Sequence, residues 1–319
     1  MESGSSTPGL HRWNMNMRLF FKWAGIVSGL FLVLIMLAGS GMYLSTQARL
    51  EKVYDIPVEP VVIPSDAEAV AEGERIFGYR GCLACHGQDL GGNVYLSDPA
   101  LGEVIASNLT VGVGGAGATY NDEDWVRAIR HGLRPDGTPL LFMPSTEFYY
   151  LSDADLGRVI AFVKSVPPSA NLLPASALSL TGRMAMVLVK DITFAPTELI
   201  PHDAPRPSAP EPGETPEFGE YLAISCKVCH GLSMSGGPIP VFPADYPSAA
   251  NLTTSPKRPL PYWDKEGFVN IMRSGVTRHG RQIDPQYMPW TSYKYATDEE
   301  LAAIWAYLQS LPPVAYGNR

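Results

Sequence analysis

The chain is poor in cysteine: four in 319 residues, too few to staple a chain of this size with disulfides. Charge is also sparse, at 18% of residues, against roughly 25% in typical soluble domains. A basic excess is missing altogether. The formal net charge is −8, which excludes the cationic footprint of a nucleic-acid binder. Long apolar runs are missing save one, and that excludes a polytopic membrane protein. What the chain has in quantity is glycine and proline, 30 and 29 residues. Without a collagen period, that composition favours short elements joined by loops over long continuous sheet. At roughly 150 residues per domain, the length accommodates two ordinary domains.

The one long apolar run extends from Trp23 to Leu44 without a charge, enough to cover the roughly 30 Å hydrocarbon core as a helix. Trp23 and Tyr43 mark its ends, and Arg12, Arg18 and Lys22 precede it, so the charge bias keeps the N-terminus in the cytoplasm. The run exceeds a signal-peptide apolar core, and no clear small-residue cleavage site follows it. It therefore reads as an uncleaved single-pass anchor. Acidity concentrates beyond it: residues 65–168 hold 14 acidic and seven basic side chains, residues 214–313 ten and eight.

The rest of the chain is a repeat. Cys82-Leu83-Ala84-Cys85-His86 returns as Cys226-Lys227-Val228-Cys229-His230. Asn108-Leu109-Thr110 returns as Asn251-Leu252-Thr253, Arg130 and Gly132 as Arg273 and Gly275, and Met143-Pro144 as Met288-Pro289. Each copy opens on a helix start, Ser65-Asp66-Ala67-Glu68 or Thr215-Pro216-Glu217, and closes on a helix that begins at Ser152 or Thr297 and stops at a Pro-Pro pair. Between the copies, the run Met184 to Val189 is too short to span a membrane. It is expected to pack between or beneath them.

C-x-x-C-H is the attachment signature of c-type haem. Residues three and four apart share a helix face, so Cys82, Cys85 and His86, and equally Cys226, Cys229 and His230, meet one side of a planar cofactor. Two haem c groups are expected, with His86 and His230 as axial iron ligands. Met143 and Met288, 57 and 58 residues further on, are expected on the opposite side of each iron, because a loop methionine before proline is poorly explained as core filling. His131 and His279 are the rivals and read as polar loop residues. Weaker expectations attach to Pro99 and Pro243, whose carbonyls are placed to accept the ligand imidazole N–H, and to Asn108, Asn251, Arg130 and Arg273, suited to haem propionates.

In their Asn-Leu-Thr pairs, Arg-Xaa-Gly turns, Met-Pro pairs and closing helices, residues 65–313 resemble the tandem class I cytochrome c domains of the cytochrome subunits that serve bacterial membrane-bound quinoprotein and flavoprotein dehydrogenases. Those subunits usually carry three haem motifs; this chain has two and an N-terminal anchor. The resemblance implies an all-α fold, with a small helical bundle around each haem. It also implies haem attachment outside the cytoplasm, hence an inner-membrane protein, N-in, with its haem domains in the periplasm. The expected organisation is a tail and anchor (1–44), a tether (45–64), a first cytochrome c domain (65–168), a linker (169–213), a second domain (214–313) and a tail (314–319).

The function so implied is relay of single electrons, with no catalysis by the chain alone. Its partners would be a donor dehydrogenase or quinol-oxidising complex and an acceptor oxidase, reaction centre or soluble cytochrome. A fixed subunit of such a complex and a dihaem peroxidase-like enzyme are the alternatives.

Overall fold

A computed structural model describes residues 9–189, 192–205, 208–239, 246–254 and 264–319. Its first element, α1 (Gly9–Leu50), is one continuous helix, long and apolar enough over Leu19–Leu50 to cross a membrane, with the large side chains of its apolar run exposed. It runs six residues into the expected tether. No proline interrupts it before Pro57, and Arg49 in its last turn complements the helix dipole while pairing with Glu198.

The first module comprises α2 (Ala67–Tyr79), α3 (Cys82–His86), strands β1 (Asn93–Asp98) and β2 (Gly102–Ala106), α4 (Asp122–His131), the single turn α5 (Ser145–Phe148) and α6 (Asp153–Ser165). The linker contributes β3 (Ala177–Leu178) and α7 (Leu180–Leu188). The second module repeats the helical plan with α8 (Pro216–Leu222), α9 (Cys226–His230), α10 (Lys265–Ser274) and α11 (Asp298–Ser310). The helix starts follow the sequence signals: Ser152, Thr215 and Thr297 cap α6, α8 and α11 through their side chains. In α2 the cap is Asp66, one residue later than the Ser65 capping box predicts.

The fold is mainly helical, as expected, but an antiparallel sheet in the order β1-β2-β3 adds to it. Its hairpin turns at Asp98, whose carboxylate accepts the amides of Ala100 and Leu101. The linker is not a free connector. Asn171 donates to Gly91 O, Phe142 N to Phe194 O, and Tyr149 Oη to Pro201 O and Ala204 O. The run Met184–Val189 packs against the end of α1 rather than between the modules, and Val187, Leu188 and Val189 stay exposed.

Two apolar cores form, one per module. The first and last helices of each module cross closely, α2 on α6 and α8 on α11. Gly73 and Gly219 make the crossing possible: a Cβ on either would lie 2.0 Å from a backbone oxygen, Arg158 O or Ala303 O. The modules also interlock. Tyr79 of α2 belongs to the second core and donates to Leu222 O at 2.6 Å. Arg75 pairs with Glu300 at 2.6 Å and donates to Tyr295 O. Reciprocally, Tyr221 of α8 reaches back to Asp155 and Ser152 at the start of α6.

Candidate cofactor sites

Each C-x-x-C-H segment is one short helix, α3 or α9, entered from the end of the preceding helix and ended by a glycine at positive φ, Gly87 (78°) or Gly231 (79°). The chain then folds back: Gly92 N donates to His86 O and Gly236 N to His230 O, both at 2.9 Å. The two segments therefore share one backbone path, from residues that differ at most positions between.

In both modules the histidine is oriented by a backbone carbonyl. His86 Nδ1 lies 2.9 Å from Ser107 O, and His230 Nδ1 2.7 Å from Ala250 O. A carbonyl only accepts, so Nδ1 carries the proton and Nε2 presents its lone pair. Burial holds both imidazoles below their ordinary pKa, in the neutral form a metal needs. The expected acceptor Pro99 instead sits in the β1–β2 turn. In both modules the carbonyl that serves is that of the residue just before the Asn-Leu-Thr segment. Pro243 lies outside the described residues.

The repeated Asn-Leu-Thr has a structural task in both modules. Asn108 donates to Ser169 O and accepts from Thr110 N and Oγ1. Asn251 donates to Val314 O and accepts from Thr253 N and Oγ1. Each asparagine thus clamps the chain just past its module's Pro-Pro pair. The repeated arginines brace the loop before the closing helix: Arg130 is fully buried and donates to Leu151 O and Asp153, and Arg273 donates to Tyr293 O and Asp298. Conversely, His131 stacks on the linker's His202 with Nδ1 to Nδ1 at 2.9 Å, and His279 is exposed.

Met143 and Met288 occupy equivalent turns. Pro144 and Pro289 have φ/ψ of −78/53° and −77/54°, and the amide two residues after each methionine returns to its carbonyl at 2.7 Å, an inverse γ-turn. Each methionine is half-buried on the same apolar cluster as the first cysteine of its module, Met143 with Cys82 and Met288 with Cys226. Burial pushes the thiols up, Cys82 to about 12 and Cys85 to about 11, with Cys226 and Cys229 also raised. These surroundings favour uncharged sulfur, as in a thioether, over the thiolates a zinc site requires. Neutral sulfurs on one helix face, an oriented imidazole and a turn-held methionine fit haem c in both modules.

Sequence reading gave no sign of what lies between the two sites. Arg80, next to Cys82 in chain and space, is sandwiched by the rings of Tyr79 and Tyr221. Tyr293 stacks edge-on against Tyr79 and lies 3.4 Å from Cys226 Sγ. Glu147 is half-buried beside Ser225 and Arg80, and desolvation lifts its carboxyl to about 6.

Comparison with known proteins follows the same division. The family described as Cytochrome c matches twice, at residues 70–167 and 219–312. The chain is 28% identical over 282 residues to the alcohol dehydrogenase (quinone) cytochrome c subunit of Gluconacetobacter polyoxogenes, covering 78% of this chain and 57% of that one. It is 25% identical over 286 residues to the fructose dehydrogenase cytochrome subunit of Gluconobacter japonicus, 81% and 56% of the two chains. A diheme cytochrome c-type protein of Cereibacter sphaeroides is 24% identical over 321 residues, 91% and 98%. The chain thus spans just over half the length of the two dehydrogenase subunits.

Proposed function

The chain belongs to the cytochrome c family, and from that premise we propose that it is a membrane-anchored dihaem cytochrome that relays single electrons on the periplasmic side of a bacterial inner membrane. Cys82 and Cys85 hold one haem c and Cys226 and Cys229 the other. His86 and Met143 bind the first iron, His230 and Met288 the second. The group supplies a reversible one-electron couple when bound. The protein's part is to fix that couple's potential and surroundings: a carbonyl-bonded imidazole is the more basic ligand, and a methionine opposite histidine raises the potential. The observation that carries the reading is the matched pair of Met-Pro turns. Met143 and Met288 would each hold the iron of a bound haem, which would serve electron transfer and disfavour peroxide chemistry. The domain bounds of this reading are 65–168 and 214–313, with the linker fastened to the first.

Similarity to cytochrome subunits of alcohol and fructose dehydrogenases supports a dehydrogenase as electron donor, with the chain either a docked carrier or a resident subunit. Near-infrared spectra of the oxidised protein should show the sulfur-to-iron band for both haems. In Met143→Ala, one haem should lose that band, drop in potential and bind carbon monoxide, while its covalent attachment survives. An unaltered spectrum would rule Met143 out as a ligand, and rapid multiple-turnover peroxide reduction by the unmodified protein would rule out the relay.

A further inference from the structure

Helix α7 turns an apolar stripe outward at the point where α1 leaves its apolar run. Its inner side is Gly182, against Leu101 O, and Met186, which is 4% exposed. Its outer side is Leu180, Met184, Val187 and Leu188, at the i, i+4, i+7, i+8 spacing that lines one helix face. Leu180 is 60% exposed and Leu188 67%. An amphipathic helix packed on a soluble domain shows the opposite arrangement, apolar side in. No acidic residue lies within α7, and Leu199 nearby is exposed too.

The level of α7 along α1 is fixed by polar contacts. Arg183 stacks on the Tyr43 ring at 4.4 Å and donates to Thr46 Oγ1 at 3.0 Å. Arg49 donates to Met186 O at 2.8 Å and makes a forked pair with Glu198, which also accepts from Thr193. Tyr43 and Leu44 are the last residues of the apolar run, before Ser45, Thr46 and Gln47, so the stripe begins where hydrocarbon gives way to headgroups. The apolar surface of the anchor and that of α7 are neighbours, with Arg183 between them at the depth where a cation meets lipid phosphate.

We propose that α7 lies in the interfacial layer of the bilayer and is a second membrane contact beside α1. The inference rests on reading α1 as a membrane anchor. Two contacts in place of one remove the freedom of the modules to swing on a tether. The β1-β2-β3 sheet and the segment behind the Met143 turn, both bonded to the linker, are then held at a set height above the membrane.

The test uses the full-length, haem-loaded protein in vesicles of phosphatidylcholine and phosphatidylglycerol, with an environment-sensitive fluorophore on single cysteines introduced as Leu180→Cys, Leu188→Cys, Leu32→Cys or Glu299→Cys. Labels at 180 and 188 should shift to the blue and be quenched severalfold more than the label at 299. A shallow doxyl lipid should quench them better than a deep one, as expected for a stripe buried about 5–10 Å into the headgroup boundary. The label at 32 should respond to the deep quencher. If 180 and 188 behave like 299 while 32 is quenched, the second contact is refuted and the anchor stands. If 32 is not quenched either, the anchor reading fails and takes the inference with it.

Discussion

Glu147 sits four residues beyond Met143 and beside Ser225, which precedes the first cysteine of the other module. Burial raises its carboxyl, and the Ser225 hydroxyl and Arg80 guanidinium only partly offset this, leaving it at about 6. A raised folded value means the native state holds a proton that the unfolded chain gives up near 4.5. The associated stability is complete below that pH and is lost as pH rises through about 6. One and a half pH units corresponds to about 2 kcal/mol. Glu147→Gln keeps the shape and cannot ionise, so chemical denaturation across this window should show a shallower fall for the variant than for the parent. Parallel curves would mean that the carboxylate is already solvated or paired in the native protein. Nothing in the sequence announced this residue, because its environment is assembled from both modules and from no local pattern.

At the level of elements, what the sequence disclosed was whatever rests on local chemistry. Caps at Ser152, Thr215 and Thr297, the Pro-Pro stops, and the helical C-x-x-C-H segments all depend on neighbours within four residues. The small sheet and the docked linker depend on partners some 70 residues away, such as Ile105 with Ser176 and His131 with His202, and period and propensity carry no trace of those. Asn108 and Asn251 are legible in the sequence as a pair, but the repeat does not reveal that they clamp the backbone past each Pro-Pro stop. Gly73 and Gly219 emerge as a matched pair only from the structure, where each meets a backbone oxygen of its module's closing helix. Their role yields a prediction in which two effects oppose. Alanine in place of a helical glycine gains roughly 0.5–1 kcal/mol of backbone entropy. Forcing a methyl into a packed contact costs about 1–3 kcal/mol, and the atom it meets at position 219, Ala303 O at 2.0 Å, is backbone that cannot rotate aside. The clash wins, so Gly219→Ala should lose about 1–2 kcal/mol in chemical denaturation of the second module. A gain in stability would mean that α8 and α11 leave room for a methyl between Gly219 and Ala303 O.

On the scale of the whole molecule, the two modules and the linker are cross-braced, so charge on the first module acts as a fixed surface rather than a floating one. That module holds 14 acidic side chains against seven basic ones, the larger imbalance of the two. Its most acidic run, Asp122 to Asp124, is largely committed: Asp124 closes the capping box of α4 and pairs with Arg127, and Asp122 pairs with Lys164. Neutralising that run would test the helix start as much as any docking. The field of the remaining carboxylates, summed over the module, is the better candidate for steering a basic redox partner. Steering of this kind raises association rates by about 10- to 1,000-fold, and it fades once the Debye length shrinks to about 8 Å at physiological salt. Stopped-flow oxidation of the reduced protein by a basic soluble cytochrome should therefore slow by about tenfold or more from low to physiological ionic strength. The same reaction with an uncharged small oxidant should hardly change, since no field guides it. A basic acceptor that reacts at a salt-independent rate would show that the acidity serves solubility alone, and would leave the haem ligands and the paired modules as they stand.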